Sequence, residues 1–228
     1  MQFRNKKILQ NYNIELQKVD SLEKMDQLID KVKNNTNTVC KDFRCKSGCF
    51  TCCIGPNVPS VYAKEWKRIR EYINKMPEDV KNQIKANLEG LLKKHESLLR
   101  AVNNTLQEDN NSFEIEEVKK LLKDEYKEEI CPLHINGKCS IYEVRPAKCR
   151  GFGYFSYKGK NEVILLTCED LAKDIIKFSS SLKAKQIIFP YWNYFENKLN
   201  KIAKDESEKY HKAIIPFWLK SDFESKKI

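Results

Sequence analysis

Long apolar runs are missing from this 228-residue chain. No stretch approaches the 18 apolar residues of a membrane-spanning helix, so we expect no transmembrane segment. The basic N-terminus is also not followed by the apolar core of a signal peptide. We therefore expect a cytoplasmic protein. In that reducing compartment, cysteines more often bind metals or carry out redox chemistry than form disulfides.

Glycine and arginine are scarce as well, with seven of each among the residues. No glycine-rich loop follows a first strand, which argues against a Rossmann-type methyltransferase. Most of the 42 basic residues are lysines spread among acidic residues. The Arg-rich clusters and the alternating aromatic and basic residues typical of nucleic-acid-binding surfaces are missing. The net charge of +10 therefore predicts a solvated lysine surface, with an acidic partner as the alternative.

Apolar residues recur at helical spacing through most of the chain. The predicted helices cover about residues 22–32, 62–76, 84–102, 115–126 and 192–202. Asp20 or Ser21 would cap the first helix and Ser60 the second, while Asn34–Thr38 and Asn103-Asn104 indicate loops. Residues 152–157 and 163–166 resemble a β-hairpin.

This pattern predicts a mainly α fold, an irregular helical domain with a cysteine-rich loop and a small β-hairpin insert. The length suits a single domain over residues 1–228. Its cysteine-bearing core would occupy about residues 40–168, followed by a helical C-terminal extension over 169–228.

Nine cysteines are present, and eight of them fall into or near two groups. The first group reads Cys45-Lys-Ser-Gly-Cys49-Phe-Thr-Cys52-Cys53. The second begins at Cys131-Pro-Leu-His and continues as Cys139-Ser-Ile-Tyr-Glu-Val-Arg-Pro-Ala-Lys-Cys149-Arg150, with Cys168 beyond it. Thiolates separated by two or three residues can surround one soft cation, since a tight turn brings both sulfurs within bonding reach. The density of the groups predicts metal binding.

The same residues resemble the YkgJ-type cysteine-cluster family, over roughly residues 40–168. That family is described as zinc- or iron-chelating and includes flagellin lysine N-methylases. The resemblance implies eight metal-binding cysteines, namely Cys45, Cys49, Cys52, Cys53, Cys131, Cys139, Cys149 and Cys168. The family spacing Cys-x2-Cys-x2-Cys-Cys is altered here, because three residues separate Cys45 from Cys49. Cys40 has no counterpart in the family pattern, so we expect it not to be a ligand.

Eight ligands allow two zinc sites of four cysteines each, or one [4Fe–4S] cluster with the other cysteines used elsewhere. Adjacent Cys52 and Cys53 would diverge in most backbone conformations and so serve different sites, or only one would bind. His134 is a reserve ligand.

Three further side chains, two arginines and a histidine, have predicted roles. Arg145 and Arg150 would bind an anionic cofactor or substrate beside the metal, or have a structural role through charge-assisted hydrogen bonds. His95 lies on an apolar helix face and is predicted to be a hydrogen-bonded core histidine.

The leading hypothesis is a metal-chelating protein that binds zinc, iron or an iron–sulfur cluster. The family resemblance implies one alternative, an S-adenosylmethionine-dependent lysine N-methyltransferase that uses a metal or [4Fe–4S] centre and acts on a protein substrate. Another alternative is a metal-stabilised adaptor for an acidic partner. The spacing Cys45-x3-Cys49-x2-Cys52 also matches that of radical S-adenosylmethionine enzymes, but the chain lacks the repeated strand–helix units of their barrel.

Overall fold

A computed structural model describes residues 2–39, 51–55, 58–107, 122, 125–159, 162–167, 171–173, 175 and 189–228. Helices dominate these residues and the strands are short, so the predicted mainly α fold is confirmed. None of the helices in these ranges has the length and apolar character needed to cross a membrane. Most of the predicted helix over residues 115–126 lies outside them, although Leu122 and Tyr126 are described and buried.

The helices are α1 (Gln2–Gln17), α2 (Leu22–Val39), α3 (Ala63–Ile73), α4 (Glu78–Gln107), α5 (Ala147–Gly151), α6 (Trp192–Ile202) and α7 (Ile215–Glu224). The strands are β1 (Ser60–Tyr62), β2 (His134–Ile135), β3 (Lys138–Cys139), β4 (Phe155–Lys158), β5 (Val163–Leu166) and β6 (Lys212–Ile214). They form three antiparallel pairs, β1 with β6, β2 with β3 and β4 with β5.

Contacts divide the chain into two compact units. The first unit comprises Met1–Ser47 and Cys149–Ala203, and the second comprises Gly48–Lys148 and Lys204–Ile228. Residues 204–228 group with the second unit. The reason lies in β6, which pairs with β1 much earlier in the sequence.

Helix α2 of the first unit starts as predicted and ends later. The Ser21 hydroxyl accepts a hydrogen bond from the Lys24 amide at 3.3 Å, which is the expected cap. The predicted loop at residues 34–38 is wrong, because the helix continues to Val39. The Thr36 and Thr38 hydroxyls donate to carbonyl oxygens one turn earlier, at 3.0 and 2.7 Å. These polar side chains are thereby satisfied within the helix.

The predicted β-hairpin is confirmed in the first unit as β4 and β5, with Phe155 opposite Leu166. Phe155 is fully buried and meets the rings of Trp192 and Phe195 edge-on, with centroids 5.3 and 4.8 Å apart. Gly151 permits this approach, since a Cβ there would lie 3.0 Å from the Phe155 ring. The hairpin is therefore attached to α6 by aromatic packing.

The second unit begins with a strand where the sequence predicted a helix cap. Ser60 pairs with Ile214 in the β1–β6 ladder, so it does not cap α3. The helix starts at Ala63 instead, and the Glu65 carboxylate accepts a hydrogen bond from the Tyr62 amide at 3.1 Å. A carboxylate at this position satisfies an amide at the start of the helix and complements its dipole.

Helix α4 carries the predicted apolar stripe into the core of the second unit. Ile84, Leu91 and Leu99 are buried there. The predicted loop at Asn103-Asn104 is wrong, because the helix continues to Gln107. Asn103 is buried, and its side-chain oxygen accepts a hydrogen bond from the Ile214 amide of β6 at 3.1 Å. The Asn103 side chain thus provides the hydrogen-bond acceptor for the last amide of β6, and the helix does not end there.

A buried ionic network joins α3 to the C-terminal part of the second unit. The Arg70 guanidinium donates to both Glu208 oxygens and contacts Asp222 at 3.3 Å. The Trp66 indole donates to the other Asp222 oxygen at 2.6 Å. Hydrogen bonding from Arg70 lowers the pKa of Glu208, whereas burial raises the pKa of Asp222. Glu208 therefore favours folding most when it is ionised.

Replacing Glu208 by Gln should lower the free energy of unfolding at pH 7 by about 1–2 kcal/mol, because Arg70 loses its charged acceptor. A lowered folded-state pKa stabilises the protein above the unfolded value, here 4.5, and that contribution is lost as the pH falls through the folded pKa. Urea denaturation of both proteins at pH 7 and well below pH 4.5 measures this difference. Glu78→Gln, at an exposed pair with Lys81, should change little at either pH. A Glu208→Gln difference that stays constant with pH would contradict the assignment.

Candidate metal centre

Two cysteine-bearing segments pair through their backbones in the second unit. The Cys131 amide donates to the Cys53 carbonyl at 2.8 Å, and the Gly55 amide donates to the Glu129 carbonyl at 2.8 Å. Ile54 and Ile130 form an antiparallel bridge between these bonds. Two groups that are far apart in the sequence are thereby brought side by side.

The sulfurs of the adjacent Cys52 and Cys53 lie close together. Both residues belong to a 3-10 turn over Thr51–Cys53, and their Sγ atoms are 4.0 Å apart. Sulfurs bound to one tetrahedral zinc ion at 2.3 Å are about 3.8 Å apart. The expected divergence of the two side chains is not observed, and their spacing suits joint binding of one ion.

Cys131 and Cys139 are held by the β2–β3 hairpin. The His134 amide donates to the Cys131 carbonyl at 2.9 Å, and His134 faces Cys139 in the register. Asn136 and Gly137 form the two-residue turn, both with positive φ, as a type I′ hairpin requires. This tight hairpin fixes the chain between the two cysteines.

Electrostatic coupling links the four described thiols of the second unit. A hydrogen bond with Cys53 lowers the pKa of Cys52 to about 7, and the same contact raises the pKa of Cys53, assisted by burial. Burial raises the pKa of Cys131 to about 12 and also raises that of Cys139. Near neutral pH, one thiol is thus easily ionised and three hold their protons.

These residues fit a thiolate-bound soft metal in donor type and burial, and the 4.0 Å between the Cys52 and Cys53 sulfurs suits a shared ion. As they are placed, no three or more His, Cys, Asp or Glu side chains converge to hold an ion among the described residues. A closed site therefore needs a further approach of the thiols or additional ligands. The predicted ligands Cys45, Cys49 and Cys168, like Cys40, lie outside the described residues.

Cys149 lies in α5 and is counted with the first unit. It is half-buried, and, like the other four described cysteines, it forms no disulfide. Its predicted role as a ligand stays a prediction.

The two arginines predicted to bind an anion have different surroundings. Arg150 contacts Asp26 at 3.3 Å and Asp30 at 3.1 Å, both on α2. Ion pairing of this kind is what the structural alternative for Arg150 predicts, and its anion-binding role stays a prediction. The guanidinium carbon of Arg145 lies 4.0 Å from the ring centroid of Tyr142.

His95 and Lys94 on α4 contact Glu129 of the paired segments. His95 has non-helical backbone angles and kinks the helix, and its Nε2 lies 3.0 Å from a carboxylate oxygen of Glu129. Lys94 contacts the same oxygen at 3.2 Å. Although burial opposes the effect, these hydrogen bonds lower the pKa of Glu129. The predicted hydrogen-bonded His95 agrees with this geometry, whereas no sequence signal identified its partner.

Gly55→Ala should separate the paired segments. Gly55 has φ +67, and a Cβ there would lie 2.6 Å from the Lys127 carbonyl oxygen. Strain and steric overlap together should lower the free energy of unfolding by about 2–4 kcal/mol and weaken metal binding. Thermal unfolding and metal titration measure the two effects.

Gly137→Ala is the matched control, because Gly137 has φ +76 with no atom near its missing Cβ. It incurs the backbone strain alone, about 1–2 kcal/mol. Equal losses in the two variants would show that the close approach at Lys127 does not matter.

Comparison of the chain with protein-family models, curated proteins and solved structures finds no match. The likeness to the YkgJ-type family therefore stays a prediction based on the cysteine spacing.

Proposed function

We propose that this protein binds a soft metal ion, as zinc or as iron in an iron–sulfur cluster, through thiolates from two chain segments. The observation that carries the proposal is the backbone pairing of Cys53 with Cys131 at 2.8 Å. It places the Cys52-Cys53 turn beside the start of the Cys131–Cys139 hairpin. Neither segment alone supplies four thiolates among the described residues.

The chemistry of the donors favours zinc or iron over magnesium or calcium. Magnesium and calcium prefer oxygen ligands, whereas thiolates select softer metals. Cys131 and Cys139 are too buried to ionise readily by themselves, and a bound cation offsets that cost. The spacing of Cys52 and Cys53 supports their binding of the same ion.

The bound metal would act as a cross-link between segments on either side of α3 and α4. Because an unfolded chain has no preformed site, the free energy of metal binding adds to the free energy of folding. A metal ion that only stabilises the fold requires no substrate. No contact among the described residues favours the methyltransferase or the adaptor alternative, so a single function is proposed.

Untagged protein purified without oxygen should contain at least one zinc or iron per chain by elemental analysis. An iron–sulfur protein should be brown and bleach on reduction, whereas a zinc protein should be colourless. Cys53→Ser and Cys131→Ser should each lower the metal content. Cys40→Ser is the control and should retain it, because Cys40 has no place in the ligand pattern. A metal-free native protein with full helical content and a cooperative melt would overturn the proposal.

Zinc binding by the four described thiols of the second unit should release at least three protons per ion at pH 7. Cys53, Cys131 and Cys139 have raised pKa values and start protonated, while the hydrogen bond with Cys53 lowers the pKa of Cys52 and makes it the easiest of the four to ionise. Calorimetric titration in buffers with different ionisation enthalpies counts these protons. Affinity should fall steeply as the pH is lowered, because protons compete for the thiolates. Release of fewer than two protons would contradict binding by four thiolates.

A further inference from the structure

Cys52 and Cys53 are neighbours in the chain whose sulfurs are also in contact. The two Sγ atoms lie 4.0 Å apart, within hydrogen-bonding distance for sulfur. Both residues are half-buried and so partly accessible to small molecules, and neither forms a disulfide. In such a contact, a sulfur that is oxidised can react with the thiol beside it.

The backbone around the pair is anchored. Both cysteines belong to the 3-10 turn over Thr51–Cys53. The Cys53 carbonyl accepts a hydrogen bond from the Cys131 amide at 2.8 Å, and Ile54 forms a bridge with Ile130. The turn is thereby fixed on its C-terminal side. Closing a ring between adjacent residues also costs little chain entropy, so an oxidised sulfur here already has its reaction partner in place.

A disulfide between these two sulfurs requires a small movement and introduces strain. Because bonded sulfurs are about 2.05 Å apart, the two Sγ atoms would have to approach by about 2 Å. Rotation about the χ1 bonds and adjustment of the peptide between the residues can supply this movement. The Cα atoms of consecutive residues are only about 3.8 Å apart, which is below the usual range for a disulfide. Strained disulfides are typically labile and regulatory or catalytic.

We propose that Cys52 and Cys53 form a reversible redox site, which hydrogen peroxide closes to a disulfide and a small thiol reopens. One sulfur attacks the peroxide, whose O–O bond breaks, and this step gives a sulfenic acid and water. The second thiol then attacks the oxidised sulfur and releases another water, so the two thiols lose two electrons and two protons to the peroxide. Two molecules of a thiol such as glutathione return them and become a disulfide themselves.

This redox site goes beyond metal binding, because two thiols in contact can react whether or not the protein binds an ion. If an ion is bound as proposed above, closing the disulfide removes two sulfurs from it and favours its release. That consequence rests on the proposed function, whereas formation of the disulfide does not.

Peroxide treatment of the native protein, followed by alkylation under denaturing conditions, tests the site. The protein is used as purified and also after treatment with a chelator, which frees sulfurs that an ion would occupy. Chymotryptic cleavage after Phe50 and Tyr62 separates Cys52 and Cys53 from Cys49. After stoichiometric hydrogen peroxide, the peptide with both cysteines should lose both alkyl labels and be lighter by two hydrogens. Dithiothreitol added before alkylation should restore both labels.

Two controls distinguish a specific pair from general oxidation of thiols. Cys131 and Cys139 should keep their alkyl labels in the same peroxide-treated sample. Cys40→Ser should close the disulfide between Cys52 and Cys53 as the native protein does, because Cys40 takes no part in the proposed reaction.

Three results would overturn the assignment. Labels retained on Cys52 and Cys53, with and without the chelator, would show that the pair does not close. A cross-link from Cys49 to Cys52 would assign the redox chemistry to a different pair. Equal loss of label at Cys131 and Cys139 would show that the sulfur contact gives no selectivity. Native protein that binds neither zinc nor iron but closes this disulfide supports the redox site and overturns the metal-binding proposal alone.

Discussion

The structure around the cysteines depends on two backbone hydrogen bonds, from Cys131 to Cys53 and from Gly55 to Glu129. Among the described residues, these are the two backbone hydrogen bonds that link the two cysteine-bearing segments. Between the groups lie α3 and α4, so the pairing closes a long loop and carries an entropic cost. A metal bound across the pair would offset that cost.

Residues of α4, in the core of the second unit, contact the paired cysteine segments. Helix α4 is kinked at His95, and the imidazole of His95 contacts the Glu129 carboxylate. The Tyr126 ring packs edge-on against the same imidazole. Further along α4, the Asn103 side chain accepts a hydrogen bond from the Ile214 amide at the end of β6. One helix thus connects the paired segments to the ladder formed by β1 and β6, which couples the stability of the core to the geometry of the site.

Helix α4 and the β4–β5 hairpin could be predicted because their periodicity reflects burial alone. At residues 34–38 the predicted loop was wrong because the threonine hydroxyls are satisfied within the helix. Two other errors arose where a polar residue had a partner far away in sequence. Asn103 indicated a loop but satisfies Ile214. Ser60 indicated a cap but lies in a strand whose partner is about 150 residues later. The cysteine groups were visible as spacing, yet their pairing through Ile54 and Ile130 depends on backbone geometry that composition does not encode.

In the proposed function, one ion is bound by sulfur from both segments. X-ray absorption at the metal edge of the purified protein tests it most directly. We predict a first shell of sulfur at about 2.3 Å for zinc, with fewer sulfurs when either Cys53 or Cys131 is replaced by serine. A shell of nitrogen and oxygen alone, or one unaffected by both substitutions, would contradict the account.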